Sequence, residues 1–264
     1  MVLPILLLGS LHPANKFGDE KVLITFDPSQ NRNLVYQSKM NMDADDLYSI
    51  RGGFQFRFSY RQMSQNQYAL CRSASRVSVG VYSLNATPIE FRFGQNSNEV
   101  SKRRMPIWWV RDHIEGEAKM FREMPLYDAG WVTDLHGNTG TAEDGKQIYN
   151  CPPVVLGSLY DLVYPSLPVG VGDTWVREFP QIGNLMGGFL QHRKVAFTLV
   201  SRNAKVAQIS AKISDGADFL NIVPNVYWVE ISTGCCLSAS GRTKILSGPI
   251  EYTLGFEEKL ISRW

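Results

Sequence analysis

Alternation of apolar and polar residues with a period of two is the feature that most constrains this chain. Between Gly53 and Arg61, Phe54, Phe56, Phe58 and Tyr60 fall on one parity and Gln55, Arg57, Ser59 and Arg61 on the other. Successive side chains of an extended chain point to opposite faces. The segment therefore reads as a half-buried strand with an aromatic inner face and a polar, basic outer face. Leu34, Tyr36, Ser38, Met40 and Met42 share a parity within Asn33 to Met42, Val77, Val79 and Val81 repeat the pattern, and Ile89, Phe91 and Phe93 alternate with Glu90 and Arg92. The last third continues it through Val195 to Val200, Val206 to Ile213, Val226 to Ile231 and Leu237 to Ile245. Short turns between such segments predict an all-β chain, mainly an antiparallel sheet of sandwich or half-barrel kind with one solvated face.

With 264 residues the chain can bury a sizeable core, as one large β domain or two smaller ones. Pro152, Pro153, Pro165 and Pro168 bracket Val154 to Tyr164, whose apolar spacing suits a short helix over a sheet edge or mouth. This divides the chain into an N-terminal antiparallel layer over 21–150 and a C-terminal layer over 151–264, which one continuous domain could also hold. Residues 1–20 stand apart. Val2 to Leu8 is an apolar run too short to span a bilayer, of the length of a signal-peptide core, though no Lys or Arg precedes it. The alternatives are an export signal and an apolar first strand, and export to the periplasm or cell envelope is the expectation. No other apolar run approaches the length of a membrane helix, so no transmembrane span is expected.

Net charge is +2, from 27 basic and 25 acidic residues, which supplies no bulk field arguing for a nucleic-acid partner or a strongly anionic surface. Cys71, Cys151, Cys235 and Cys236 permit two disulfides in an oxidising compartment or four free thiols. Adjacent Cys235 and Cys236 would face opposite sides of a regular strand.

Catalytic patterns are missing: there is no G-x-S-x-G, H-E-x-x-H, phosphate-binding glycine loop or G-x-G-x-x-G. Asp134, His136, Asn138, Glu143 and Asp144 make an oxygen-rich stretch, but Thr139 stands where a calcium loop needs glycine, and Asp43, Asp45 and Asp46 fail the same test. No metal or organic cofactor and no enzymatic activity are expected. Two groups could contact a ligand or partner. Lys102, Arg103, Arg104, Trp108 and Trp109 set cations beside indoles, as at membrane interfaces or glycan sites, although in a strand one of the two indoles would be core. Phe54, Phe56 and Phe58 form an aromatic face that either lines a cavity for an apolar ligand or packs a filled core.

The passage Pro165-Ser166-Leu167-Pro168-Val169-Gly170-Val171-Gly172-Asp173-Thr174-Trp175 introduces the C-terminal strands. Gly170 and Gly172 can take the positive φ of a tight turn, Asp173 can accept from amides of that turn, and Trp175 can cap the core. This passage resembles the Gly-Asp-x-Trp motif of a family of exported bacterial β-proteins, often lipoproteins, with no established chemistry. Phe197 to Val200, Ala207 to Ser210 and the turn Ser232-Thr233-Gly234 follow the same family pattern, so the resemblance covers roughly residues 160 to 264. It implies an exported β-domain that acts by binding a protein or within an envelope assembly. The lipid-attachment cysteine of those lipoproteins is not seen here.

Overall fold

The structure is a computed structural model that describes residues 20–44, 48–65, 67–83, 89–94, 97–101, 129–136, 162–182, 191–214, 219–247 and 250–264. Its strands are β1 (Asn33–Ala44), β2 (Tyr48–Gln62), β3 (Gln67–Ser83), β4 (Ile89–Gly94), β5 (Ser97–Ser101), β6 (Ala129–Asp134), β7 (Thr174–Ile182), β8 (Gln191–Arg202), β9 (Val206–Ile213), β10 (Phe219–Glu230), β11 (Cys236–Ser247) and β12 (Ile250–Arg263). The chain is all-β, and among the described residues there is no helix. All twelve strands lie in one sheet, in the order β5-β4-β3-β2-β1-β12-β11-β10-β9-β8-β7, with β6 paired to β3. Each pairing is antiparallel. The first and last strands thus meet in the middle of the sheet, and each half is a simple meander running outward. The edge of β3 is shared, β4 taking Arg76 to Val81 and β6 taking Gln67 to Arg72.

Period-two patterning survives in the packing. Along β9 the buried residues are Ala207, Ile209, Ala211 and Ile213, and strand bounds agree with the sequence expectation. The neighbouring strands match its parity: Val195, Phe197 and Leu199 of β8, Tyr227 and Val229 of β10, Leu34 and Tyr36 of β1, and Phe56 of β2 are all buried. Of the helix expected over Val154 to Tyr164, only Leu162, Val163 and Tyr164 are described, and none of them is helical. The Tyr164 amide donates to the Leu135-adjacent carbonyl of His136 at 2.8 Å instead of to a helical partner. The apolar run Val2 to Leu8 lies outside the described residues.

Three irregular segments close one end of the sheet's inner face. Residues 20–31 bring Ile24 and Phe26, residues 162–173 bring Val163, Tyr164 and Val169, and the β10–β11 connection brings Cys235, all buried. Backbone bonds tie these segments to one another and to the strands. Val22 and Val169 exchange a pair of 2.9 Å bonds, the Phe26 amide donates to Leu135 O at 3.0 Å, and the Asp27 amide donates to Thr233 O at 2.9 Å. Phe26 also packs on Tyr60 of β2, ring centroids 4.6 Å apart.

Glycines lie on neighbouring rungs across the central strands, where bulk would collide with partners already in place. Gly241, Phe256, Met40 and Gly52 share one rung, and Gly255, Asn41, Arg51 and Gly80 the next. A Cβ on Gly241 would stand 2.0 Å from Asn225 Oδ1 and 2.8 Å from the Phe256 ring, and one on Gly255 would stand 2.6 Å from Asn41 Oδ1. Such glycines let neighbouring side chains lie over the backbone, and they are the positions at which a large sheet bends. Gly241→Ala is expected to cost about 1 to 3 kcal/mol through overpacking. Gly170→Ala, whose added carbon would meet nothing nearer than 3.8 Å, should stay within about 0.5 kcal/mol of the parent. Urea melts of the two variants check the contrast.

Candidate functional site

The corner before β7 is built largely as the sequence predicts. Gly172 has φ of 94°, which excludes most other residues. Gly170 is not in that region and contributes differently, its amide donating to Asp173 Oδ2 at 2.9 Å. That bond, with Lys21 3.6 Å away, lowers the Asp173 pKa below the ordinary carboxylate value. Trp175 is 8% exposed, stacks on Phe197 at 5.8 Å and donates its indole N–H to Val163 O at 2.8 Å. The corner holds the 162–173 segment to the sheet and leaves no polar group of the indole free for a ligand.

The Ile231–Thr233 turn and Gly234 gather more polar contacts than the corner does. Thr233 O accepts from Asp27 N and from Asn31 Nδ2, Gly234 O accepts from the Tyr164 hydroxyl, and Cys236 O accepts from the Tyr36 hydroxyl at 2.7 Å. Gly234 has φ of 63°, and a Cβ there would stand 2.2 Å from Thr25 O. Glu230 Oε2 accepts from Arg263 Nη1 and from Thr233 Oγ1, both at 2.5 Å, and these bonds lower its pKa. Cys235 and Cys236 are free thiols. Burial raises both thiol pKa values, and Glu258 raises that of Cys236 further. Thiols held protonated are poor nucleophiles. The strand is irregular here: Cys236 pairs with inward-facing Val229 across a register shift, so the two cysteines do not simply alternate.

On the inner face, Phe56 is 1% exposed and Phe58 packs edge-on against Tyr36 at 5.5 Å. Phe54 is cross-strand partner to Ser38 and Val77, and its side chain is not described. Ser38 and Asn225, both buried, show no hydrogen-bond partner for Ser38 Oγ or Asn225 Oδ1 among the described residues. Lys102, Arg103, Arg104, Trp108 and Trp109 lie outside the described residues, as do Asn138, Glu143 and Asp144. Among the described residues no three His, Cys, Asp or Glu side chains are grouped to hold a metal ion.

The outward face supplies what the sequence reading did not single out. Trp228 alternates with buried Tyr227 and Val229 and is 43% exposed, while Ile261 and Trp264 are exposed on β12 and just beyond it. The Arg57 guanidinium lies over the Trp264 ring, 5.5 Å from its centroid. Lys39, Arg51, Arg242 and Lys259 are exposed on the same face. The parity of Trp228 was legible in sequence. Its neighbours were not, because they come from strands far apart in the chain. No protein family and no curated protein matches this chain.

Trp175→Ala should cost on the order of 3 to 5 kcal/mol, read as a lowered melting midpoint, since it removes both the stacked ring and the bond to Val163. The Glu230 carboxyl, with its pKa lowered in the folded state, contributes stability above the ordinary carboxylate range that is lost as pH falls through the lowered value. Glu230→Gln should therefore be less stable than the parent near neutrality, by about 1 to 3 kcal/mol, and the gap should narrow as melts are repeated at progressively lower pH. A gap that is the same at every pH would contradict the assignment.

Proposed function

We propose that this chain is a non-enzymatic, exported β-domain that works by binding a protein or a component of a cell-envelope assembly, with the sheet's outward face as the contact surface. One observation carries the reading: Phe56, at the centre of the aromatic wall that could have lined a ligand cavity, is consumed in packing, whereas Trp228 of the opposite face is left 43% exposed. A monomeric domain gains nothing from exposing a large indole while burying Tyr227 and Val229 on either side of it, and indoles are favoured anchors of binding surfaces. Protonated, buried thiols and the lack of nucleophile motifs favour binding over catalysis. The Gly-Asp-x-Trp corner, with its resemblance to exported β-proteins, is the ground for placing the domain in the envelope.

A carrier of an apolar ligand is the second reading. It draws on register positions past Ser38 that keep the inward parity and stay apolar in sequence, among them Met40, Met42, Ile50, Val79 and Leu254. The two readings differ at Phe56. In a binding domain with a filled core, Phe56→Ala opens a void and costs roughly 3 to 5 kcal/mol. In a carrier, the change enlarges a ligand space and costs little. The expected result is a large drop in melting temperature for Phe56→Ala, with native mass spectrometry of the parent giving the mass of the bare chain. Co-purified lipid together with an unchanged melting temperature would assign the carrier role instead.

A further inference from the structure

The outward face of the four central strands concentrates positive charge that the whole-chain balance conceals. Antiparallel register places Arg242, Gly255, Asn41 and Arg51 on one rung, Ser240, Glu257, Lys39 and Gly53 on the next, and Ser238, Lys259, Gln37 and Gln55 on the one after. Lys244 and Asp43 belong to the rung before these, and Arg57 follows them. Six cations here face two carboxylates, Asp43 and Glu257, an excess larger than the +2 of the entire chain. Arg242 and Arg51 stand three strand spacings apart, roughly 14 Å. Only Gly255 and Asn41 lie between them on their rung, so little side-chain bulk rises from the floor.

Exposed apolar residues lie on the same face. Trp228 shares the rung of Lys259, two strand spacings or roughly 10 Å away. Trp264, 56% exposed, lies under Arg57, and Ile261, 46% exposed, is the extra residue at the register shift near that end of β12. Of the carboxylates at this end, Glu230 is already engaged by Arg263.

Taking the binding-domain reading as its premise, we propose that this face docks on an anionic lipid bilayer, the cations against lipid phosphates and Trp228, Ile261 and Trp264 in the headgroup region. Cations spread across a sheet surface complement a plane of uniform negative charge, while a protein partner would be met by discrete, paired carboxylates. Indoles settle at the bilayer interface because one edge is polar and the body apolar. Each Lys or Arg held near an anionic membrane strengthens binding about 5-fold, and the attraction is confined to within a Debye length.

The full chain, floated with vesicles of phosphatidylcholine and with vesicles in which a quarter is replaced by phosphatidylglycerol, tests this. Binding is expected on the anionic vesicles alone and should weaken as salt is raised. Arg242→Gln and Lys259→Gln should each lower the partition coefficient about 5-fold, and the pair about 25-fold, with unchanged melting temperature. Lipid brominated near the headgroup should quench part of the tryptophan fluorescence of the parent and less in Trp228→Phe, which retains the fold if its melting temperature is unchanged. Equal binding to neutral vesicles, no binding to anionic ones, or insensitivity to both glutamine substitutions would overturn the lipid assignment. If cross-linking from position 228 in envelope fractions then captured one protein in stoichiometric yield, the binding-domain reading would stand without the bilayer. If neither lipid nor protein were held, that reading would fail as well.

Discussion

The turn between β10 and β11 is the contact on which the packed end of the sheet depends. Its carbonyls receive bonds from three segments distant in sequence: Asp27 and Asn31 before β1, Tyr36 within β1, and Tyr164 before the corner. A buried hydrogen bond nets about 0.5 to 1.5 kcal/mol, and an acceptor stripped of its donor costs about 1 to 3 kcal/mol. The turn is therefore worth more as a set of satisfied acceptors than as a sum of attractions. Gly234 makes the geometry possible, because any side chain there would strike Thr25 O. With the turn in place, the 20–31 and 162–173 segments have both a hydrogen-bond frame and an apolar surface to lie on, and Ile24, Phe26, Val163 and Val169 can leave water together.

From that end, the sheet separates its two faces by parity. Inward positions carry the aliphatic and aromatic groups. Outward positions carry cations, hydroxyls and a few exposed apolar residues. The separation also bears on the proposed binding role. Tyr36, Tyr164, Cys235 and Cys236 are all pushed toward their protonated forms by burial, and the carboxylates of Asp173, Glu178 and Glu230 pair with cations or amides. This arrangement supports the proposal that the domain presents surfaces to a partner.

Much of the fold could be read from alternation alone. Val206 to Ile213 was placed to the residue, and β1 to β4, β8, β10 and β11 were placed but drawn short, because strands such as β2 and β3 continue through glycines and polar residues where the apolar pattern thins; no alternating segment marked β5 or β12. The pairing of β1 with β12 was not legible: nothing local in Asn33–Ala44 or Ile250–Arg263 names its partner, since antiparallel ladders bond backbone to backbone. The same gap hid the outward cationic face. Arg242, Arg51 and Lys39 are unremarkable in sequence and become neighbours only once register across four strands is known. The corner was the best-read feature, because Gly172, Asp173 and Trp175 act on residues close to them in the chain. Its one misreading, a positive φ at Gly170, came from counting both glycines as turn residues when one serves through its amide.

Outward charge also specifies how β1 and β12 pair. A shift of one residue would exchange the faces of a whole strand. For β1 it would carry Gln37 and Lys39 inward beside Phe256 and Leu260, and turn Leu34 and Tyr36 to solvent. Burying an unpaired ammonium costs far more than the 1 to 3 kcal/mol of leaving a hydroxyl such as Ser38 Oγ without a partner. The correct register tolerates the small penalty at Ser38 and avoids the large one at Lys39. The cations on the outward face thus exclude wrong pairings while the sheet forms, and afterwards remain in solvent as a charged plane. Neither role uses up the other, because register needs the charge only to stay outside and docking needs it only to be there.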